Sequence, residues 1–343
     1  MQRRRFLAQS LASSATLALP SVWAQGAPKP TPIKFTLDFR VTGQTAPFFL
    51  AQQRGHYAAE GLDVSIDVGS GSVASITRIV SGAYQMGLGD ISSLIEFQAA
   101  NGGTPAVQAV YQYYNRAPFA IIGRKDRGIT GDFKSLQGKK VAAAAVESTR
   151  RAWPMVARRL RVNEDFFTWT TTDFSQRDNV MVRGDVDAAT YFHDSAVSLF
   201  ARMKLDELSV LRYTDAGVNL YGNAILAGNA LITQNPGAVA AFLRATNRGI
   251  QEAFNDPAAA IAATKAREPI LVEAVELERW RITREYIAAP DTRSHGLGDV
   301  LKRTLEQQVD EVSEVYKLKT RPGAEGIFHR GFLPSLNERT LKA

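Results

Sequence analysis

A glycine-serine loop is the part of the chain best suited to hold a small ligand. Ser70, Gly71 and Ser72 follow an alternating apolar segment and precede a helical pattern. The glycine lets the backbone approach a bound molecule closely, and the start of the following helix favours an anionic or carbonyl group. Ser72 is equally suited to capping that helix. We expect this loop to contact the ligand.

Other polar and aromatic side chains lie at the ends of further predicted strands. Ligands of open α/β sheets bind beyond the carboxyl ends of the strands, so these side chains are candidates for the same site. For one aspartate the alternative role is a helix cap, and for the histidine it is a surface position. The tyrosine ring could flank a planar ligand. The additional candidates are Asp38, Phe39, Asp90, Ser148, Thr149, His193 and Tyr221.

Residues typical of catalysis and metal binding are sparse. The chain has no cysteine, and its four histidines are widely spaced. Neither Gly-x-Ser-x-Gly nor His-Glu-x-x-His occurs. We therefore expect no catalytic residue, metal site or cofactor. The net charge is +7, but Arg3, Arg4 and Arg5 carry part of it and the other basic residues are mixed with acids, so nucleic-acid binding is not expected.

The order of the predicted elements brings these residues together. Strand and helix patterns alternate from residue 34 to 111, and a second such set follows between residues 119 and 227. Leu62, Val64 and Ile66, for example, alternate with polar residues as in a half-buried strand. From Pro236 onward the pattern is nearly all helical, and residues 321–343 are expected to be irregular. This order predicts mostly parallel sheets covered by helices.

The chain is expected to form two lobes, because two α/β sets are followed by helices that can cover the first. It would cross to the second lobe near Arg116 and return near Tyr221. Lobe I then comprises residues 33–115 and 223–343, and lobe II residues 116–222. A ligand cleft would lie between the lobes.

Residues 1–24 have the features of an export signal. Three arginines precede an apolar stretch from Leu11 to Val22, which is too short to span a bilayer. The segment Arg3–Leu7 resembles the twin-arginine pattern, and cleavage is expected near Ala24. Residues 25–32 form a Pro-rich linker. We expect a periplasmic protein that is a monomer.

An ordered series of short motifs resembles one known family. Its steps begin with Leu37-Asp38-Phe39 and continue through the segments Ala51–Tyr57, Glu60–Val64, Gly82–Gly87, Leu136–Val141 and Gly184–Ala188. Together these are similar to the periplasmic sulfonate- and thiamine-pyrimidine-binding proteins (NMT1/THI5-like) of ABC transporters. The resemblance implies a type II periplasmic-binding fold, with two α/β lobes, two crossovers and a ligand cleft. It also implies an inner-membrane ABC permease as partner.

The chain departs from the family pattern where the pyrimidine would bind. Phe39 takes the place of a tryptophan, and Gln44-Thr45 takes that of an Asn-His pair. Thr45 is therefore a candidate contact, but a thiamine-type pyrimidine cannot be carried over. A pyrimidine-like heterocycle, a sulfonate and a carboxylate all remain possible ligands.

The expected function is the solute-binding component of an importer that closes its lobes on the ligand. One alternative is an enzyme of pyrimidine synthesis, since fungal relatives with this fold make the thiamine pyrimidine. The resemblance implies that such chemistry uses a histidine at the position of Thr45 and a cysteine-rich motif, which this chain lacks. Another alternative is a periplasmic sensor subunit.

Overall fold

The computed structural model describes residues 29–102, 105–290 and 292–341, which form two five-stranded sheets. The first sheet contains β1 (Thr31–Thr36), β2 (Leu62–Asp67), β3 (Met86–Asp90), β4 (Val107–Gln112) and β10 (Asn223–Gly228). The second contains β5 (Phe119–Arg124), β6 (Lys140–Ala143), β7 (Thr168–Thr171), β8 (Ala188–Phe192) and β9 (Leu208–Arg212). The predicted α/β two-lobed architecture is confirmed. The predicted signal peptide lies outside the described residues.

The strand order of each sheet shows how the chain passes between the lobes. The first sheet has the order β2-β1-β3-β10-β4, with β1 parallel to β2 and β3. The returning strand β10 lies between β3 and β4 and is antiparallel to both. The second sheet has the order β7-β6-β8-β5-β9, in which β5 is antiparallel to its neighbours. Each sheet is therefore mixed, with one antiparallel strand inserted among parallel ones.

Helices cover both sheets and account for most of the remaining described chain. They are α1 (Ala46–Gln53), α2 (His56–Ala59), α3 (Ser72–Val80), α4 (Ile91–Ala100), α5 (Ser148–Arg151), α6 (Trp153–Leu160), α7 (Arg177–Arg183), α8 (Val197–Phe200), α9 (Asn229–Gln234), α10 (Pro236–Asn255), α11 (Pro257–Arg267), α12 (Glu273–Ile287), α13 (Thr292–His295), α14 (Lys302–Val315), α15 (Ala324–Ile327) and α16 (Leu336–Arg339). No helix among the described residues is both long and apolar enough to cross a membrane.

The late helices cover the first sheet, as expected. Phe35 of β1 stacks between Phe48 of α1 and Phe242 of α10, with ring centroids 5.1 Å apart in both pairs. All three rings are fully buried. This aromatic cluster fixes α1 against the sheet, and α1 follows directly on the cavity residues Gln44 and Thr45.

Several element boundaries differ from the expected ones for local reasons. The first strand begins at Thr31, inside the predicted linker of residues 25–32. Pro32 is accommodated there because this part of β1 pairs only with β2. The apolar helix α1 ends at Gln53, and Gly55 adopts a left-handed conformation before α2 begins at His56. The predicted irregular tail contains the short helices α15 and α16.

The two connections between the sheets run side by side. The backbone N–H of Ala117 donates to the carbonyl of Leu220 at 2.7 Å, and that of Gly222 donates to the carbonyl of Tyr114 at 2.9 Å. These bonds tie the outgoing connection to the returning one. The predicted lobe boundaries at residues 116 and 222 fall in these connections and stay a proposal.

Candidate functional site

A cavity lies between the two sheets, at the carboxyl ends of several strands. Together with its mouth and the adjoining open solvent, the space between these residues has an empty volume of about 610 Å³. Both lobes contribute to it, and its walls combine aromatic rings with a few polar groups. The lining residues are Asp38, Phe39, Gln44, Thr45, Gly71, Ser72, Leu88, Tyr113, Tyr114, Val146, Glu147, Ser148, Phe174, Arg177, Phe192, Ser195 and Asn223.

A buried carboxyl-amide pair forms the lobe I side of this interlobe cavity. Asp38 follows β1, and Asn223 is the first residue of β10. The Asn223 Nδ2 donates to Asp38 Oδ2 at 2.6 Å. Burial raises the pKa of Asp38 to about 6, although the bond from Asn223 opposes that rise. At neutral pH the pair therefore offers the cavity a carboxylate that accepts hydrogen bonds.

Asp90 lies next to this pair but outside the cavity lining. It ends β3 and caps α4, since its Oδ1 accepts a bond from the Ser93 N–H at 3.1 Å. It is fully buried, and desolvation raises its pKa to about 7. The capping role considered from the sequence is the one that the structure shows.

Aromatic rings from both lobes flank the cavity. Phe39 of lobe I meets Phe174 of lobe II edge to face, with ring centroids 5.3 Å apart. Tyr113 and Tyr114 precede the first crossover, and Tyr114 meets Phe192 edge to face at 6.2 Å. Such walls suit a planar ligand, because aromatic surfaces stack on flat rings without requiring polar partners.

The only cation in the described lining is already paired. The Arg177 Nη1 donates to Glu147 Oε1 at 3.0 Å, and both side chains are buried. The guanidinium also lies 4.0 Å from the centroid of the Tyr191 ring. Burial raises the pKa of Glu147, and Arg177 opposes the rise. Glu147 offsets the charge of Arg177, and Asp38 adds a second carboxyl to the described lining.

The glycine-serine loop lies at the cavity only in part. Gly71 and Ser72 line it, whereas Ser70 does not. The Gly71 N–H donates to the carbonyl of Asp38 at 2.7 Å, which ties the loop to the carboxyl-amide pair. Of the other candidates, Thr45 and Ser148 also line the cavity. Their roles in binding stay a prediction.

Three further candidates lie outside the lining. The Thr149 hydroxyl donates to the Tyr191 carbonyl at 3.5 Å, and the Tyr221 hydroxyl accepts from the Leu301 N–H at 2.8 Å. The His193 Nδ1 bonds the Tyr286 hydroxyl at 2.9 Å. Burial lowers the pKa of His193 to about 4. These side chains stabilise the protein around the cavity instead of facing it.

Beside the cavity, Asp194 of lobe II joins the two lobes. Its carboxylate accepts bonds from Gln44 Nε2 at 2.6 Å, from the Tyr114 hydroxyl at 2.6 Å and from Thr283 Oγ1 at 2.9 Å. The Arg279 Nη1 donates to the carbonyl of Asp194 at 2.9 Å. Gln44 and Tyr114 follow strands β1 and β4 of the first sheet, whereas Asp194 follows β8 of the second, so these bonds connect the two sheets along this side.

Sequence reasoning missed several lining residues, chiefly Gln44, Tyr113, Tyr114, Phe174, Arg177 and Asn223. Asn223 could have been predicted, because it is the first residue of the returning strand and lies beside the crossover. Arg177 could not be predicted from a strand end, because it is the first residue of α7 and lies six residues beyond the end of β7.

A family model described as NMT1/THI5 like matches residues 42–260. The chain belongs to this family. Two curated relatives have different printed functions. A 4-amino-5-hydroxymethyl-2-methylpyrimidine phosphate synthase of Aspergillus parasiticus is 25% identical over 250 residues, covering 70% of this chain and 71% of the relative. The riboflavin-binding protein RibY of Chloroflexus aurantiacus is 26% identical over 259 residues, covering 71% and 70%.

Solved structures support the fold assigned to this NMT1/THI5-like chain. The alkanesulfonate-binding protein SsuA from Xanthomonas axonopodis pv. citri, bound to MOPS, matches with a TM-score of 0.69 and 15% identity. The match covers 89% of this chain and 100% of that protein. At this identity the likeness establishes the periplasmic-binding fold and leaves the ligand open.

Proposed function

We propose that the chain is the extracytoplasmic solute-binding component of an ABC importer, and that its ligand is a planar heterocycle bearing an N–H or amino donor. The observation that carries this proposal is the Asp38–Asn223 pair beside the rings of Phe39 and Phe174. The carboxylate would accept the donor group while the rings flank the planar part. The paired state of Arg177 disfavours a sulfonate or carboxylate.

Transport would follow from closure of the lobes around this ligand. Contacts to both lobes shift the population to the closed form, because they are made fully only when the lobes meet. The closed form would then deliver the solute to an inner-membrane permease. This function places the protein in the periplasm, in line with the export signal expected from residues 1–24.

A thermal-shift panel tests the ligand class. The probes are 4-amino-5-hydroxymethyl-2-methylpyrimidine, riboflavin, an alkanesulfonate and an aromatic carboxylate. We expect a heterocycle to raise the Tm by mass action and the two anions to leave it unchanged. Asp38→Asn should reduce that rise, whereas Asp63→Asn, at an exposed position of β2, should preserve it. A rise with the sulfonate alone, or no effect of Asp38→Asn, would contradict the proposal.

The second candidate function is pyrimidine synthesis, which the printed name of the Aspergillus relative favours. The described cavity lining contains no lysine or histidine, which weighs against a Schiff base with a lysine or a histidine nucleophile there. Incubation with pyridoxal phosphate separates the two functions. A spectral change or turnover would replace the binding function with the enzymatic one, and an unchanged spectrum supports binding.

A further inference from the structure

Two buried oxygen atoms beside the cavity have no hydrogen-bond partner. They are Asp90 Oδ2 and Asn223 Oδ1. Both residues are almost completely buried, at 0% and 2% exposure. A buried acceptor without a donor is costly, by about 1–3 kcal/mol for each group. Because these two atoms lie on the neighbouring strands β3 and β10, one hydrogen bond between them would satisfy both.

The sheet register places these two side chains together. Asp90 of β3 and Asn223 of β10 are directly opposite each other in an antiparallel pair. Directly opposed residues project from the same face of a sheet, with Cβ atoms about 4.5–5.5 Å apart. Asp38 follows β1 on the other side of β3 and accepts the Asn223 amide. The three side chains thus converge across the ends of β1, β3 and β10.

We propose that Asp90 carries a proton which it donates to Asn223 Oδ1, and that this bond positions the Asn223 amide so that Asp38 presents a carboxylate to the ligand. One proton satisfies both orphaned oxygens, since it makes Asp90 a donor and gives the amide oxygen a partner. When Asn223 Oδ1 accepts the hydrogen bond from Asp90, Asn223 Nδ2 must point to Asp38, as the structure shows. Asp90 is a positioning residue, because it acts on the ligand through Asn223 and Asp38.

The surroundings of Asp90 favour the protonated form. The charged group facing it is Asp38, whose negative charge disfavours a second carboxylate, and burial acts in the same direction. Tyr316, which follows α14, also interacts with Asp90, and burial raises the pKa of its hydroxyl so that it stays neutral. The Ser93 N–H donates to Asp90 Oδ1, which leaves Asp90 Oδ2 to hold the proton.

This inference specifies the ligand recognition that the proposed function requires, and it rests on that function for the affinity test alone. With Asp90 protonated, Asp38 accepts a hydrogen bond and selects a donor on the ligand. Once Asp90 ionises, the amide loses its anchor and Asp38 gains a like-charged neighbour. Ligand affinity should therefore fall as the pH rises through about 7.

The first test needs no ligand. The side-chain amide resonances of Asn223 are followed by NMR between about pH 5.5 and about pH 8.5 in the wild type, Asp90→Asn and Asp38→Asn. We expect a step near pH 7 from Asp90 in the wild type, in addition to a step near pH 6 from Asp38, and in Asp90→Asn only the Asp38 step should remain. In Asp38→Asn the Asp90 step should persist at lower pH, because the charge that raises the Asp90 pKa is gone. No step near pH 7 in the wild type, or an unchanged one in Asp90→Asn, would overturn the inference.

The second test measures affinity by calorimetry with riboflavin and with 4-amino-5-hydroxymethyl-2-methylpyrimidine. Asp90→Asn retains a donor and should bind within about threefold of the wild type, without the loss at high pH. Asp90→Ser keeps the helix cap but is too short to reach Asn223, so it should bind about tenfold more weakly. Wild-type affinity in Asp90→Ser would indicate a capping role alone. If neither probe binds but the NMR titration follows Asp90, the proposed ligand class fails while the proton assignment stands.

Discussion

At the scale of single residues, burial decides the charge of the groups around the cavity. Burial shifts the pKa of three groups in the direction that favours their neutral form. These are Asp38, Asp90 and His193, and desolvation is the largest cause in each case. Burial also raises the pKa of Glu147, and its ion pair with Arg177 opposes that rise. The site therefore offers few fixed charges and relies on hydrogen bonds and ring surfaces, which is consistent with a planar, donor-bearing ligand.

His193 makes the protein sensitive to acid. Burial lowers its pKa to about 4, whereas in the unfolded chain it takes up a proton near 6.5. Between these values the unfolded state binds the additional proton, so the contribution of His193 to the free energy of unfolding falls as the pH drops through this window. The raised pKa values of Asp38 and Asp90 act in the opposite direction there, because the folded state holds their protons more tightly. The full effect of His193 is of the order of 3 kcal/mol. Unfolding midpoints in denaturant, measured from about pH 7 to about pH 4, report it.

His193→Asn should remove this contribution, so that the free energy of unfolding at acidic pH, relative to that at about pH 7, is higher than in the wild type. Tyr286→Phe is the matched control, since it removes the hydrogen bond to His193 but leaves the imidazole buried, and the contribution should remain. Equal slopes in the wild type and His193→Asn would contradict the assignment.

At the scale of elements, close helix packing holds the cavity residues in place. Gly249 of α10 lies against α1, and a Cβ there would come within 2.4 Å of the Pro47 carbonyl and 2.8 Å of the Ala51 Cβ. Gly249→Ala should therefore force the helices apart and destabilise the protein by about 1–3 kcal/mol. It should also weaken ligand binding, because α1 follows Gln44 and Thr45 directly.

Gly237→Ala is the matched control on the same helix. A Cβ there meets only the Asn235 side chain, at 3.7 Å, and alanine is the better helix former. Its unfolding midpoint should stay level or rise. If the unfolding midpoint fell for both variants, α10 would tolerate no added side chain at either glycine. The packing of α10 on α1 would then not be the cause of the destabilisation.

The elements were largely predictable from the sequence, and the cavity only in part. Alternation at Leu62, Val64 and Ile66 predicted β2 because one face of this edge strand is buried. Strand ends predicted Phe39 and Gly71, since the rule concerns where β-strands stop. It could not predict Arg177, which reaches the cavity from a helix, or Tyr113, which precedes the crossover. Those positions depend on how the lobes meet.

At the scale of the whole molecule, two late helices connect the lobes. In α12, Arg279 and Thr283 bond Asp194 of lobe II. In α14, Glu314 accepts a bond from Arg158 of α6 at 2.6 Å. The second lobe is thus contacted from the first on two sides as well as through the crossovers. Opening would expose the buried Asp194 carboxylate to water and separate it from Gln44.

In the proposed function, ligand capture would balance the exposure of the Asp194 carboxylate to water against the contacts that the aromatic rings make with a solute. Phe39 and Phe174 are in contact across the lobes, and both line the cavity. A ligand that contacts both rings therefore stabilises the closed form directly. The central claim is that the solute lies beside these two rings, with its donor on Asp38.

A crystal structure of the protein with the probe that gives the largest thermal shift tests this claim most directly. The account predicts one ligand in the interlobe cavity, its ring beside Phe39 and Phe174 and its N–H or amino group within hydrogen-bond distance of Asp38. A ligand bound elsewhere, or an anion held by Arg177 with Asp38 uninvolved, would contradict it.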